Sequence, residues 1–213
     1  MKIGQLFDVS GKVAVVTGGS RGIGEMISAG FLANGVKVYI TARKEEPLIK
    51  KAKELSNEYN GTCIPIACDL SSSLGIDYFV KMIHEKEEAI DFLINNAGAA
   101  WGQPYHEFSE VGWDKVMDLN VKSLFFLTQK LTELLKVRAS SDDPSRIINI
   151  GSIDGLNVPA FETYSYSTSK AAVHHLTRVM AAKLVKENIL VNAIAPGPYP
   201  SQMLGSAVDH DYS

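Results

Sequence analysis

The feature that most constrains this chain is a regular alternation of short apolar runs with longer helix-period segments. The runs lie at Val13–Thr17, Val36–Thr41, Cys63–Cys68, Phe92–Asn95, Arg146–Gly151 and Leu190–Ala195, and the helical segments near 22–34, 45–59, 72–88, 108–137 and 164–187. Alternation of this kind builds parallel βα units. Several runs are nearly continuous Val, Ile and Ala, as expected of strands covered on both faces. The pattern predicts one α/β domain over residues 1–213, a doubly wound parallel sheet, with no internal repeat or inter-domain linker. The polar stretch 139–145 reads as a surface loop between a helix and a strand.

Composition removes several alternatives. Lys and Arg total 21 against 24 Asp and Glu, a formal charge of −3, without the concentrated basic field of a nucleic-acid or membrane-surface protein. With 46% hydrophobic residues the chain has enough apolar material for a core, which argues against disorder. No stretch approaches the ~20 apolar residues of a membrane span, and the first residues hold no signal-peptide run, so a cytoplasmic protein is expected. Cys63 and Cys68 are five apart; a strand would point them to opposite faces, so they are read as buried thiols. The five histidines, at 84, 106, 174, 175 and 210, show no HxxxH or HExxH spacing, and no metal site is expected. His174 and His175 are assigned to a helix surface or a subunit contact. Glu85, Glu87 and Glu88 are read as a solvated helix end.

The first strand runs into Thr17-Gly18-Gly19-Ser20-Arg21-Gly22-Ile23-Gly24 and then a helix. Glycines at 18, 22 and 24 permit positive φ and close backbone approach, and a helix N-terminus presents free N–H groups to anionic oxygens. At the first strand–turn–helix of an alternating chain this is the context of a dinucleotide pyrophosphate site; the alternative is a Gly-rich turn without a ligand. An acidic residue after the second strand would bind both ribose hydroxyls. Arg43 and Lys44 stand there instead, with Arg21 in the glycine loop. Guanidinium matches phosphate in bidentate geometry, so NADP(H) is expected over NAD(H). The bland use of Arg43 and Lys44 is to solubilise a loop.

Taken in order, Thr17–Gly24, Asp69-Leu70, Asn95-Asn96-Ala97-Gly98, Asn120, Ser152, the run from Tyr166 to Lys170, and Pro196-Gly197 resemble the motifs of the short-chain dehydrogenase/reductases over almost the whole chain. The GxxxGxG spacing is that of the short, single-domain branch. The resemblance implies the Rossmann strand order 3-2-1-4-5-6 and hydride exchange between a nicotinamide and a carbonyl or secondary alcohol. It implies that Ser152 bonds the substrate oxygen, that Tyr166 is the acid/base, that Lys170 also holds the nicotinamide ribose, and that Asn120 positions a relay water. It also places Asp69 and Leu70 near the adenine, and Asn96, Ala97 and Gly98 against the adenosine ribose. Tyr166 and Lys170 are four apart and share a helix face. A free phenol titrates at about 10, and an adjacent ammonium is expected to favour the phenolate. Tyr164 is a rival whose own i+4 residue, Thr168, carries no charge.

The segment Ala195-Pro196-Gly197-Pro198-Tyr199-Pro200-Ser201-Gln202-Met203-Leu204 looks similar to the 3-oxoacyl-thioester reductase group, including relatives linked to rhamnolipid synthesis. The expected substrate is therefore a small 3-oxoacyl or other β-keto compound, reduced by NADPH. A sugar, polyol or xenobiotic ketone is the enzymatic alternative, and a non-catalytic NADP(H)-binding module the other. The helices near 108–137 and 164–187 are apolar beyond one stripe, and the resembled family pairs them, so a homodimer or homotetramer is expected. The family usually continues with a further helical segment and a seventh strand. Neither is visible after Leu204, so the sequence is expected to be C-terminally incomplete, with the sixth strand as an exposed apolar edge.

Overall fold

A computed structural model describes residues 7–199. The stretches 1–6 and 200–213, which include the residues after Leu204 and part of the segment 195–204, lie outside the described residues. Six parallel strands, β1 Val13–Thr17, β2 Lys37–Ala42, β3 Cys63–Ala67, β4 Phe92–Asn95, β5 Ser145–Ile150 and β6 Ile189–Ile194, form one sheet in the order β3-β2-β1-β4-β5-β6. Each boundary falls within one residue of its apolar run. The helices are α1 Gly22–Ala33, α2 Glu45–Glu58, α3 Ser73–His84, α4 Glu110–Met117, α5 Ser123–Lys136 and α6 Tyr164–Leu184.

The strands divide their side chains between two layers, as the two-residue pleat requires. Val13, Val15, Tyr39, Leu93 and Ile147 meet Phe79 and Ile83 of α3, Leu127, Leu131 and Leu135 of α5, and Val173 of α6. Ala14, Val16, Val38, Ile40 and Ile94 meet Leu32 of α1 and Leu48 and Leu55 of α2 on the other face. Pro65 is accommodated because, among the described residues, β3 pairs only with β2, and an edge strand can lack one ladder donor. At the opposite edge β6 buries Ile189 and Val191, while Leu190 and Ile194 are exposed. Cys63 is buried and Cys68 half-buried, and both are free thiols. Among the described residues no helix is long and apolar enough to cross a membrane.

Two expectations are corrected. The segment 72–88 is helical only to His84, and Glu87 is not solvated. Its carboxylate is 9% exposed and pairs with Lys37, and it accepts a hydrogen bond from the Tyr39 hydroxyl at 2.5 Å; a buried charge persists only when paired in this way. The segment 108–137 is not one helix. Ser109 caps α4 by accepting from Gly112 N, and α4 and α5 are joined by a π turn, Asp118–Lys122, in which Ser123 N–H donates to Asp118 O, five residues back. Ser123 Oγ also donates to Leu119 O at 2.6 Å.

Candidate active site

The site lies at the carboxyl ends of the strands, where an open parallel sheet leaves a crevice. On one side is the turn from β1 into α1. Gly18 and Gly22 have φ of +63° and +54°. A Cβ on Gly24 would stand 2.3 Å from Gly18 O and 2.5 Å from Asn96 Nδ2. The turn is braced from β4: Thr17 Oγ1 accepts from Asn96 N and Ala97 N, both at 2.9 Å, and Asn96 Nδ2 donates to Thr17 O at 2.8 Å and Gly18 O at 3.1 Å. Asn96 thus spends its amide hydrogens on holding the glycine turn, and the backbone N–H groups of Asn96 and Ala97 tie the same turn to β4. The result is a glycine cradle ahead of a helix N-terminus, and it fits a dinucleotide pyrophosphate.

The remaining predicted cofactor residues flank this cradle. Ser20 and Ile23 are half-buried in the turn, and Arg21 is exposed at the N-terminus of α1. Arg43 and Lys44 are exposed just after β2, with no carboxylate at the strand end. Asp69 is used locally, accepting from Ser71 N at 3.0 Å and Ser71 Oγ at 2.8 Å. Leu70 is 4% exposed and packs in the core. Pro196 O accepts from Ile153 N at 3.1 Å, and a Cβ on Gly197 would stand 3.9 Å from Ile153 Cδ1. The segment after β6 then reaches α1, where the Tyr199 hydroxyl donates to Met26 Sδ at 2.7 Å.

On the other side, β5, α6 and the π turn bring Ser152, Tyr166, Lys170 and Asn120 together. Ser152 is 7% exposed, and its Oγ accepts from Asp154 N at 3.1 Å, which starts the short turn Ile153–Gly155. Lys170 is 5% exposed. Its Nζ donates to Ile150 O at 2.7 Å and stands 5.6 Å from the Tyr166 ring centre. Burial pushes the Lys170 ammonium down to about 8. The loop at Gly98 abuts both groups, since a Cβ there would stand 3.3 Å from Asn120 Oδ1 and 3.8 Å from Lys170 Nζ. Tyr164 is engaged elsewhere: its hydroxyl donates to Glu162 at 2.7 Å and its ring packs on Tyr105 and Phe108.

Two details, the Tyr166 titration and the place of His174, differ from the sequence-based expectation, and the bonding of Asn120 adds to it. The Tyr166 phenol is held above its ordinary value, not below it. Burial dominates, a hydrogen bond with Ser152 opposes it, and the Asp154 charge adds to it; the ammonium meant to lower it is directed at Ile150 O. Asn120 is 2% exposed and both its amide hydrogens are taken, by Ala99 O at 3.0 Å and Ser169 Oγ at 2.9 Å, while Oδ1 accepts from Ala99 N at 2.8 Å. Its side chain thus braces Ala99 and Ser169. His174 lies behind Ser152 and not on the helix surface, with Nε2 3.0 Å from Ser152 O. Its i+4 spacing from Lys170 was the available signal.

Comparison with known proteins agrees with this geometry. The family model described as short chain dehydrogenase matches residues 12–211. The chain is 45% identical over 197 residues to the rhamnolipids biosynthesis 3-oxoacyl-[acyl-carrier-protein] reductase of Pseudomonas aeruginosa, covering 92% of this chain and 76% of that protein. The Pseudomonas aeruginosa RhlG/NADP active-site complex superposes with a TM-score of 0.91 at 43% identity, covering 96% of this chain and 79% of that one. L-sorbose reductase from Gluconobacter frateurii, complexed with NADPH and L-sorbose, gives a TM-score of 0.87 at 28% identity, covering 96% and 77%. A glycine cradle, a strand-end serine and a Tyr/Lys pair on one helix face are thus set in a matching sequence and fold, and the chain belongs to the short-chain dehydrogenase family of oxidoreductases.

Proposed function

We propose that the protein reduces the carbonyl of a 3-oxoacyl or other β-keto substrate with NADPH, and that Tyr166 is the proton donor. The observation that carries this reading is the convergence of Ser152, Tyr166 and Lys170 beside the glycine cradle. The Ser152 hydroxyl bonds the substrate oxygen and the Tyr166 hydroxyl gives it a proton as charge develops there. NADPH, when bound, supplies the hydride. Gly18, Gly22 and Gly24 with the α1 N-terminus hold its pyrophosphate. Arg43 and Lys44, with Arg21, hold the 2′-phosphate. Lys170 holds the nicotinamide ribose and, with an ammonium at about 8, returns a proton to Tyr166 near neutral pH. Asp69, Leu70, Asn96, Ala97, Gly98, Pro196 and Gly197 line the same cofactor path. Asn120 acts by fixing Ala99 and Ser169.

The substrate class rests on the 45% identical relative and on apolar side chains beside the site. Leu156, Val158 and Phe161, on the segment between Ser152 and Tyr166, are all exposed; they suit an acyl chain better than a sugar. Exposed Val111, Phe125, Phe126 and Val179 on α4, α5 and α6 support a homo-oligomer through these helices, which sedimentation at micromolar concentration tests.

Initial rates with NADPH and NADH against β-ketoacyl esters, cyclic diketones and ketoses test the function. The expected result is an NADPH preference with fastest turnover of the esters, and replacement of Arg43 and Lys44 by Ala removing that preference. Fastest turnover of a ketose would favour the sugar reading. Tight NADPH binding with unchanged rates in Tyr166→Phe would refute catalysis by this site.

A further inference from the structure

Helix α6 holds the end of β5 turn by turn. Asn149 Nδ2 donates to Thr177 Oγ1 at 2.9 Å, and Lys170 Nζ donates to Ile150 O at 2.7 Å. His174 Nε2 lies 3.0 Å from Ser152 O. Tyr166, Lys170 and His174 are spaced i, i+4, i+8 and so occupy one face. Two of these three belong to the proposed chemistry; the third has no part in it so far.

We propose that His174 is the positioning residue for Ser152, its ring fixing the serine peptide so that the hydroxyl and the Tyr166 phenol are presented as one rigid pair. The proposal rests on the role assigned to Ser152 above. The ring nitrogen meets both polar groups of the serine peptide: Ser152 O at 3.0 Å, and Ser152 N–H, which donates to Nε2 at 3.5 Å when that nitrogen is unprotonated. The shorter contact is the stronger, and it requires the Nε2-protonated tautomer, in which Nε2 donates to Ser152 O. Ser152 O also accepts from Gly155 N at 3.1 Å, which uses the second lone pair of that carbonyl.

The neighbouring glycine supports the same assignment. A Cβ on Gly151 would stand 2.3 Å from His174 Cε1 and 2.7 Å from Nε2. Gly151 is not among the positive-φ residues, so its backbone would accept any side chain. The space is left for the imidazole. With Gly151 N bonded to Ile194 O at 2.8 Å and Ile153 N to Pro196 O at 3.1 Å, the serine is tethered on one side to the end of β6 and on the other to the segment that follows it, and His174 holds its carbonyl from α6.

The test compares wild type, His174→Ala, His174→Gln, Ser152→Ala and the Ser152→Ala/His174→Ala double variant. Each is assayed with NADPH and the β-ketoacyl ester or other carbonyl turned over fastest, alongside NADPH affinity by fluorescence and thermal unfolding. His174→Ala is expected to lower kcat about tenfold, the scale of a sub-ångström misplacement of a reacting group, with NADPH affinity unchanged. His174→Gln, whose Nε2 can still donate, should recover most of the rate. In the Ser152→Ala background the same change should have no further effect on kcat. Imidazole nitrogen resonances should report the Nε2-protonated tautomer.

A wild-type rate in His174→Ala would overturn the proposal, as would equal losses in both backgrounds, a loss that tracks thermal stability without recovery in His174→Gln, or the Nδ1-protonated tautomer. A wild-type rate in Ser152→Ala would instead overturn the functional reading beneath it, and the proposal with it.

Discussion

Replacing Lys170 by Met should make the protein inactive and, at neutral pH, more stable. Lys170 is 5% exposed, and burial lowers its ammonium from 10.5 to about 8. At pH 7 that gap corresponds to about 3 kcal/mol against the folded state. Met fills similar volume without charge, but removes the hydrogen bond to Ile150 O, a contact worth about 2 kcal/mol when the donor is charged. The balance at pH 7 is a gain of about 1 kcal/mol. The sign then reverses with pH. A depressed folded value means that the folded state binds fewer protons between about 8 and 10.5, so wild-type stability rises through that window relative to a variant lacking the group. The penalty is present in full below about 8 and gone above 10.5, and the two stability curves should cross near about pH 9. Urea unfolding of both proteins from pH 7 to 10.5 measures this directly, because taking the difference cancels the other titrating groups. A variant less stable than wild type by more than about 1 kcal/mol at pH 7, or a difference that stays flat across the window, would refute the reasoning. Turnover should fall at least about a hundredfold in the same variant, which is the cost in stability that active sites commonly carry.

Other outcomes follow from single contacts. Gly24→Ala puts a methyl against Gly18 O, which is backbone and cannot yield, so NADPH affinity should fall more than about tenfold; calorimetric titration reads this, and an unchanged affinity would contradict the cradle. Asp154→Asn removes a charge that raises the Tyr166 phenol. The alkaline limb of kcat/KM for reduction should therefore move to lower pH, and an immobile limb would count against that coupling. Asn120→Ala strips partners from both Ala99 backbone groups and from Ser169. It should cost about 2–4 kcal/mol in urea unfolding, and a loss under about 1 kcal/mol would show that water replaces the amide.

What could be read from the residues in order depended on how local its cause is. The strands were legible because each is a short Val/Ile-rich run whose burial on both faces leaves no polar alternation to confuse with a helix. The glycine cradle was legible because its geometry is demanded within eight residues. Glu87 was not, since its burial is set by Tyr39, 48 residues upstream, and an acidic triplet alone looks like solvated surface. His174 was misplaced for the same reason: its acceptor lies 22 residues back, on a strand end whose distance from α6 no periodicity reports. The direction of the Tyr166 titration turned on burial against the nearby charges, and burial is a property of the packed molecule.

The π turn at Asp118–Lys122 has a consequence for how this gene can change in length. A turn closed by a bond from Ser123 to Asp118 holds one residue more than an α-helical turn. Deleting Val121 would let α4 and α5 merge into one regular helix, and because each residue advances the helix by about 100°, everything on one side would rotate by that amount relative to the other. Asn120 could not then face Ala99 and Ser169 while Leu124, Leu127 and Leu131 remain in the core. The exposed loop at 140–142 should tolerate codons added or lost, whereas at this turn the chain is fixed in length to the residue.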